Sequence, residues 1–160
     1  MPQTPPSDES NLRIFVGNKY DYFQRKWALS EQTGSKQSWN WAAFLGSYAW
    51  MAYRKMYLQS GILVGVLILE TIVEVLLGPR SGVSSLITFF NIGLFVGVGF
   101  RGNHWYKRHV EKRIQDILSQ CSAERAEAEL ARAGGTSMAA AVAITVTLLG
   151  GWAAIAALIS

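Results

Sequence analysis

Cysteine and histidine are scarce in this sequence. Cys121 is the single cysteine, and the two histidines are His104 and His109. A lone cysteine excludes both an intramolecular disulfide and a cluster of thiolate metal ligands. The histidines are five positions apart, whereas two metal ligands on one face of a helix are usually four apart. We therefore expect no metal site.

Motifs of enzymatic chemistry and of nucleic-acid recognition are absent as well. The sequence contains no nucleophile elbow, no P-loop and no zincin motif. Its net charge is +4, but it has no zinc-finger spacing and no pattern of basic and aromatic residues typical of single-strand binding. We predict that the chain is not an enzyme, needs no cofactor and does not bind nucleic acid.

Long apolar runs are, by contrast, present. Residues 57–77, 83–100 and 137–159 are largely apolar, and about 20 apolar residues are enough to cross the ~30 Å hydrocarbon core of a bilayer. GPRSG at 78–82 is typical of a tight turn. The sequence therefore predicts an all-α integral membrane protein with three transmembrane helices. Residues 57–100 are predicted to form a transmembrane hairpin, and residues 136–160 the third span.

The N-terminal segment lacks the features of a secretory signal. Its residues, MPQTPPSDESN, are rich in proline and acidic side chains, whereas a signal peptide begins with basic residues followed by an apolar stretch. Residues 1–12 are predicted to be a disordered tail, because such a composition buries little apolar surface. The first span is then expected to direct membrane insertion.

Two segments outside the apolar runs have the periodicity of amphipathic helices. The first follows Asn18, its predicted N-cap, and has Tyr20, Phe23 and Trp27 on one face. The second lies within residues 101–135 and ends at its two C-terminal glycines. The apolar residues of the second are Tyr106, Val110, Ile114, Ile117, Leu118 and Cys121. We predict that both helices lie in the cytoplasm.

A short aromatic block precedes the first apolar run. Residues 39–53 are largely apolar but short for a span, Ser38 is the predicted N-cap, and Arg54 and Lys55 follow. Tryptophan and tyrosine rings favour the membrane–water interface, so residues 13–56 are predicted to hold an amphipathic helix and then an interfacial or re-entrant helix. A fourth span is the alternative. The predicted interfacial anchors are Trp39, Trp41, Trp50, Tyr53, Arg54, Lys55 and Trp105.

The distribution of lysine and arginine predicts an orientation. Seven of the 15 precede residue 57, one lies in the turn at 78–82, and seven lie in residues 101–135. With three spans the two rich segments fall on one side, and the positive-inside rule places that side and the N-terminus in the cytoplasm, with Ser160 outside. If residues 39–53 also crossed, the five basic residues of 13–36 would face away from the other rich segment, which favours three spans.

Two glutamates interrupt the first apolar run. Glu70 and Glu74 share a helix face, and a carboxyl group within a bilayer is costly and usually has a partner. Counted from the turn at 1.5 Å per residue, Glu70 lies at about the depth of Asn91, and Glu74 lies near Ser84, Ser85 and Thr88. We call Glu70, Glu74, Thr88 and Asn91 the polar seam. It is predicted to be either a functional intramembrane site or a hydrogen-bonded contact that fixes the hairpin.

Each run of the hairpin also carries a G-x-x-x-G pair. Gly61 and Gly65 lie in the first run, and Gly93 and Gly97 lie in the second. Such pairs let two transmembrane helices approach closely. At about 100° per residue, Glu70 lies ~180° around the helix from Gly61. The helix-packing face and the polar seam are therefore expected on opposite sides.

Three segments together resemble a known family. They are FVGN with the aromatic residues after it (Phe15 to Trp27), SWNWAAF followed by AYRKMY (Ser38 to Tyr57), and GNHWYKRHV with the isoleucine after it (Gly102 to Ile114). They resemble the bacterial membrane family called domain of unknown function 2628, over most of residues 14–118. The resemblance implies a bacterial inner-membrane protein, and it implies no activity, cofactor or active site.

These features predict a function by association. With two small-residue faces, an interfacial aromatic helix and no catalytic motif, we expect a non-enzymatic accessory subunit or scaffold of a larger membrane assembly. Its partners would be membrane lipids and other subunits, or further copies of the chain. Two alternatives remain open. One is a small oligomeric proton or cation pathway through Glu70, and the other is a lipid-binding or membrane-shaping protein built on residues 39–57.

Overall fold

The described part of the chain is helical throughout its regular structure. The computed structural model describes residues 8–35, 38–78 and 82–159. Its elements are α1 (Asp8–Val16), a 3-10 turn (Gly17–Lys19), α2 (Tyr20–Thr33), α3 (Trp41–Tyr53), α4 (Tyr57–Leu77), α5 (Val83–Gln120), α6 (Ala123–Ala133) and α7 (Met138–Ile159). They form two compact units: a polar unit from Met1–Trp39 and Arg101–Thr136, and an apolar unit from Asn40–Phe100 and Ser137–Ser160.

Three helices are long and apolar enough to cross a membrane. They are α4, α5 and the part of α7 from Met138 to Ile155. The 21 residues of α4 rise ~32 Å, which matches the ~30 Å hydrocarbon core. The 13 residues of α3 rise only ~20 Å. The prediction of an all-α membrane protein with three transmembrane helices is confirmed.

Helix α1 corrects the prediction of a disordered tail that reaches residue 12. Residues 8–12 are helical, whereas residues 1–7 lie outside the described ranges. Asp8 and Glu9 occupy the first turn, where carboxylates stabilise the positive end of the helix dipole. Asn11 and Phe15 are buried, and α1 packs against α6. Tertiary contacts therefore order a segment whose composition alone predicts disorder.

The core of the polar unit contains the aromatic face that the spacing predicts for α2. Tyr20, Phe23 and Trp27 are all buried. The ring centroids of Phe23 and Trp27 lie 4.7 and 6.0 Å from that of Tyr106 in α5. The same core contains Val110, Ile114, Ala126 and Leu130.

Two helices begin at residues other than the predicted caps. Asn18 lies in the 3-10 turn, and Lys19 precedes α2 without a side-chain cap. Helix α3 begins after Asn40, whose Oδ1 accepts a hydrogen bond from the N–H of Ala43 at 3.0 Å. The hydroxyl oxygen of Ser38 accepts instead from Asn103 at 2.8 Å. The side chain of Ser38, which was predicted to cap α3, is therefore hydrogen-bonded to a residue that is distant in the sequence.

Helix α5 is continuous over 38 residues, so the predicted boundary between residues 100 and 101 is not a helix end. The glycines around that point remain helical, because glycine weakens a helix without preventing it. The chain leaves the helix at Cys121 and Ser122, and α6 follows, where one helix was predicted over residues 101–135. Leu118, predicted on the buried face, is exposed.

The glycine pair that ends α6 also joins it to α1. The N–H of Gly135 donates to the carbonyl of Phe15 at 2.7 Å, and Gly135 has φ +72°. A Cβ added at Gly134 would overlap the backbone of Phe15. The pair thus provides both a left-handed turn and a close approach of two backbones, and neither is available to a residue with a side chain.

In the apolar unit, α3 packs against α4 and α7. At its start, the N–H of Asn40 donates to the carbonyl of Gly99 at 2.9 Å, and at its end the carbonyl of Tyr53 accepts from the N–H of Ser137 at 2.8 Å. The hydroxyl of Ser60 donates to the carbonyl of Tyr48 at 2.7 Å. The start of α3 is therefore hydrogen-bonded to a residue near the end of the second apolar run. Its end is hydrogen-bonded to the first residue of the third run.

Helix α3 has two residues with unusual backbone conformations. Ser47, within the helix, has φ 34° and ψ −109°, which L residues rarely adopt. At the C-terminus, the N–H of Lys55 donates to Ala52 and that of Met56 to Met51. This pair of bonds is a Schellman motif. Lys55 holds its left-handed position with φ 58°, where glycine is usual.

Candidate functional site

The polar seam connects α4 and α5 at two levels. Nδ2 of Asn91 donates to Oε2 of Glu70 at 3.0 Å, and the hydroxyl of Ser84 donates to Oε1 of Glu74. Thr88 is exposed, and its hydroxyl donates at 2.9 Å to the carbonyl of Ser84 in its own helix. The structure thus brings Glu70, Glu74 and Asn91 of the polar seam into contacts between the helices. Ser84, one of the three residues predicted near Glu74, is the one that binds it.

In the Glu70–Asn91 contact, one oxygen of each side chain has no hydrogen-bond donor in the described part of the chain. Oε1 of Glu70 and Oδ1 of Asn91 are buried, and neither accepts a hydrogen bond from the described residues. Both atoms are acceptors when the carboxyl group is ionised, whereas a protonated carboxyl group has one O–H to donate. A buried polar atom without a partner costs about 1–3 kcal/mol. The contact therefore consists of one hydrogen bond and leaves one buried oxygen of each residue unpaired among the described residues.

Among the described residues, the four glycines of the two G-x-x-x-G pairs have open space on the side where a side chain would stand. A Cβ built at Gly61, Gly65, Gly93 or Gly97 meets no atom within 4 Å. The pairs therefore leave space that a second helix could fill. Their packing against another chain stays a prediction.

The predicted interfacial anchors divide into exposed and buried side chains. Trp41 is 65% exposed, whereas Trp50 and Arg54 are 7% and 6% exposed. Trp50 and Arg54 are therefore buried within the protein, in a helix that packs against α4 and α7, and the anchoring role of the set stays a prediction. The guanidinium carbon of Arg54 lies 5.6 Å from the ring centroid of Tyr53. The half-buried members of the set are Trp39, Tyr53, Lys55 and Trp105.

A cavity of about 270 Å³ lies in the polar unit, between α2 and the C-terminal part of α5. Its charged and imidazole lining residues are Lys26, Glu31, His104, Lys107, Arg108 and Glu111. The ammonium of Lys107 binds the carboxylate of Glu31 and lies 3.6 Å from that of Glu111. The hydrogen bond from Lys107, and then its charge, lower the pKa of Glu31. This ion pair joins α2 to α5 at the cavity.

The inner wall of the cavity is a hydrogen-bonded cluster of three residues. The indole N–H of Trp27 donates to the carbonyl of Asn103 at 2.9 Å. The amide of Asn103 donates to the carbonyl and the hydroxyl oxygen of Ser38, at 3.2 and 2.8 Å. Sequence reasoning missed this cavity. Its signal was present, because Trp27, Ser38 and Asn103 each belong to a different one of the three segments that carry the family resemblance.

The two histidines have different surroundings. His104 lines the cavity, whereas the ring of His109 lies 6.5 Å from that of Phe15, centroid to centroid. Burial lowers the pKa of His109, and the charge of Arg113 lowers it further. Within the ranges that the structure describes, no group of three or more His, Cys, Asp and Glu side chains is arranged to hold a metal ion.

Comparison with known proteins gives a family and no activity. The family model described as "Protein of unknown function (DUF2628)" matches residues 8–112, which are 105 of the 160 residues. The chain therefore belongs to this family, as its three sequence segments predict. No curated protein and no solved structure matches it.

Proposed function

Starting from its membership of this family, we propose that the protein acts by association within a membrane, as a non-enzymatic accessory subunit or scaffold of a larger assembly. The observation that carries the proposal is the free space at all four glycines of the G-x-x-x-G pairs. Small residues at this spacing are typical of helix–helix contacts in membranes. Its partners would be lipids and other subunits, or a second copy of the chain.

The arrangement of the hairpin supports this proposal. The polar seam joins α4 to α5 through side chains of Glu70 and Asn91, and the face with Gly61 lies ~180° around α4 from Glu70. The contact within the chain therefore leaves the glycine face unused. In the apolar windows of the three spans, only 17%, 11% and 6% of the residues are buried. Most of the surface of the spans is available for lipid or for another helix.

The membrane of this proposal is the bacterial inner membrane. The N-terminus would lie in the cytoplasm and the C-terminus outside, because the lysine- and arginine-rich segments before residue 57 and in 101–135 then share the cytoplasmic side.

The size of the protein in mild detergent tests the association. We expect native mass spectrometry of wild-type protein from its own membrane to show an oligomer or a co-purified membrane protein. Gly61→Leu with Gly65→Leu should release the monomer, because leucine side chains prevent close approach. Gly150→Leu with Gly151→Leu is the matched control, since those glycines also have free space around them but lack the four-residue spacing. A strictly monomeric wild-type protein without a partner would contradict the proposal.

A proton or cation pathway is a second candidate function, favoured by one observation. The seam places the Glu70–Asn91 and Glu74–Ser84 contacts one helical turn apart along α4, as successive stations of a pathway would be. Three spans would need to oligomerise to enclose it. Flux into proteoliposomes that is present in the wild type and lost in Glu70→Gln would favour this function over a scaffold.

A further inference from the structure

The cavity of the polar unit carries cations that its own acids do not neutralise. Glu31 and Glu111 both bind Lys107. The other two cations of the lining, Lys26 and Arg108, form no ion pair with a carboxylate in the described ranges. Cations that share a cavity repel each other and attract an anion. The lining therefore favours an anionic ligand.

The wall behind these cations is held in a fixed shape. Asn103 is 1% exposed, and its carbonyl and amide join Trp27 of α2 to Ser38. These bonds connect residues that are 76 and 65 positions apart in the chain. A wall held by its own hydrogen bonds keeps its shape without a ligand, which lowers the entropic cost of binding.

The dimensions and the charged groups suit a phosphate ester. A volume of about 270 Å³ is below the ~300–1,000 Å³ of pockets for drug-sized ligands, so the ligand is small. Phosphate oxygens are strong acceptors, and the guanidinium of arginine and the ammonium of lysine are the side-chain groups that recognise them. Arg108 and Lys26 provide one of each.

The position of the cavity along α5 indicates where the phosphate comes from. In the sequence, the cavity-lining residues of α5 begin with Asn103, three positions after Phe100, where the apolar part of α5 ends. Basic residues that closely follow a transmembrane run are typical contacts of phospholipid head groups. Basic pockets beside transmembrane helices are typical binding sites for acidic head groups.

We propose that this cavity binds a phosphate-bearing anion through Lys26 and Arg108, and that the anion is the head group of an anionic phospholipid. This inference does not depend on the association proposed above, since Lys26 and Arg108 belong to the polar unit and the glycine pairs take no part in it. Lys107, held by Glu31 and Glu111, keeps α2 and α5 together at the edge of the site.

Native mass spectrometry of the full chain in mild detergent tests the proposal. Phosphatidylglycerol is added in increasing amounts, and phosphatidylcholine, whose head group is zwitterionic, is the lipid control. The wild type should bind one phosphatidylglycerol in preference to phosphatidylcholine. Lys26→Gln with Arg108→Gln should weaken that binding by about tenfold or more.

A second double variant controls for charge alone. Lys112→Gln with Arg113→Gln also removes two positive charges, here both from α5. These two residues are exposed and do not line the cavity. Its binding should remain within about threefold of wild type. Equal weakening in the two double variants, or no preference for phosphatidylglycerol in the wild type, would overturn the proposal.

A competition with wild-type protein distinguishes the two sources of phosphate and needs no variant. Glycerol 3-phosphate should displace the lipid, but only at much higher concentration, because the lipid is also held by its acyl chains. Displacement at the concentration of the lipid would retain the anion site and assign it to a soluble phosphate ester. No displacement at any concentration would mean that the lipid binds elsewhere by its chains, and this would overturn the site.

Discussion

At the scale of the residue, the hydrogens between Glu70 and Asn91 determine which substitutions the hairpin tolerates. Gln in place of Glu70 offers an oxygen and an N–H₂ group, so that it can satisfy both buried atoms of Asn91. We expect the free energy of unfolding of Glu70→Gln to lie within about 0.5 kcal/mol of wild type, and that of Glu70→Leu to be lower by about 0.6–2 kcal/mol. Glu70→Lys should disrupt the hairpin, because it places a cation against the amide hydrogens of Asn91 within the bilayer.

Denaturant unfolding in detergent, followed by circular dichroism, measures these differences. Equal losses of stability in Glu70→Gln and Glu70→Leu would show that hydrogen bonding at this position does not stabilise the hairpin.

Lys55 occupies a left-handed conformation that favours glycine. Its φ is 58°, and this conformation costs a residue with a side chain about 1–2 kcal/mol. Glycine adopts this conformation without that cost. It also increases the conformational entropy of the unfolded chain, which offsets part of the gain in stability. We expect Lys55→Gly to raise the free energy of unfolding by about 0.5–1 kcal/mol. Lys112→Gly, in the interior of α5, should lower it by about 1 kcal/mol. Equal effects of the two substitutions would contradict the role of the Schellman motif.

His109 predicts a loss of stability in mild acid. Its pKa is lowered from 6.5 by burial and by Arg113, so the unfolded chain binds a proton more readily than the folded one. The stability that this group contributes is therefore complete above about pH 6.5. It declines as the pH falls from there to the lower pKa of the folded state. Thermal unfolding between pH 5 and 8 should show this slope in the wild type and in His104→Gln. A slope that persisted in His109→Gln would assign it to another group.

At the scale of the element, the contact between α1 and the end of α6 requires glycine. A methyl group at Gly134 would overlap the carbonyl of Phe15, and Gly135 donates to that same carbonyl. We expect Gly134→Ala to lower the free energy of unfolding by about 1–3 kcal/mol and to expose α1 to limited proteolysis. Gly150→Ala, where an added Cβ meets no atom within 4 Å, is the control and should not destabilise. Unchanged protection of α1 in Gly134→Ala would show that α6 does not hold it.

The interiors of the helices were predictable from the sequence, and their ends were less so. The spacing of Tyr20, Phe23 and Trp27 gave the buried face of α2 correctly, because one apolar stripe must face a core. The predictions of Ser38 and Asn18 as helix caps were wrong. A cap is predicted from neighbouring residues, but a residue distant in the sequence can bind the same side chain. The oxygens of Ser38 accept from Asn103, 65 positions away. The prediction of disorder for residues 8–12 was wrong for the same reason, because α1 is ordered by its contacts with the distant helix α6.

The candidate sites follow the same rule. The contact of Glu70 with Asn91 was predictable, because both depths are counted along a helix from the same short segment between the two apolar runs. The cavity was not, because its wall joins Trp27 to Asn103 across 76 positions. The burial of Trp50 and Arg54 was not predictable either, since an aromatic helix at an interface and one packed under α7 have the same composition.

At the scale of the whole molecule, the charge distribution predicts a topology. In a Cys121→Ser background, single cysteines at Ser35, Ser81 and Ser160 should be labelled by an impermeant maleimide from the inside, the outside and the outside, respectively. Labelling after permeabilisation shows that all three sites are reactive. Outside labelling at position 35 would mean that residues 39–53 cross the membrane and that the chain has four spans.

The hydrogen bond between Tyr53 and Ser137 also sets an order of events during synthesis. It joins residues that are 84 positions apart (137 − 53), and a ribosome needs roughly 4–17 s to make that length. For this time α3, α4 and α5 exist while the helix that covers one side of α3 does not. Until then, the side of α3 that packs against α7 lacks its partner. Completion of the apolar unit therefore waits for the last helix of the chain to be made.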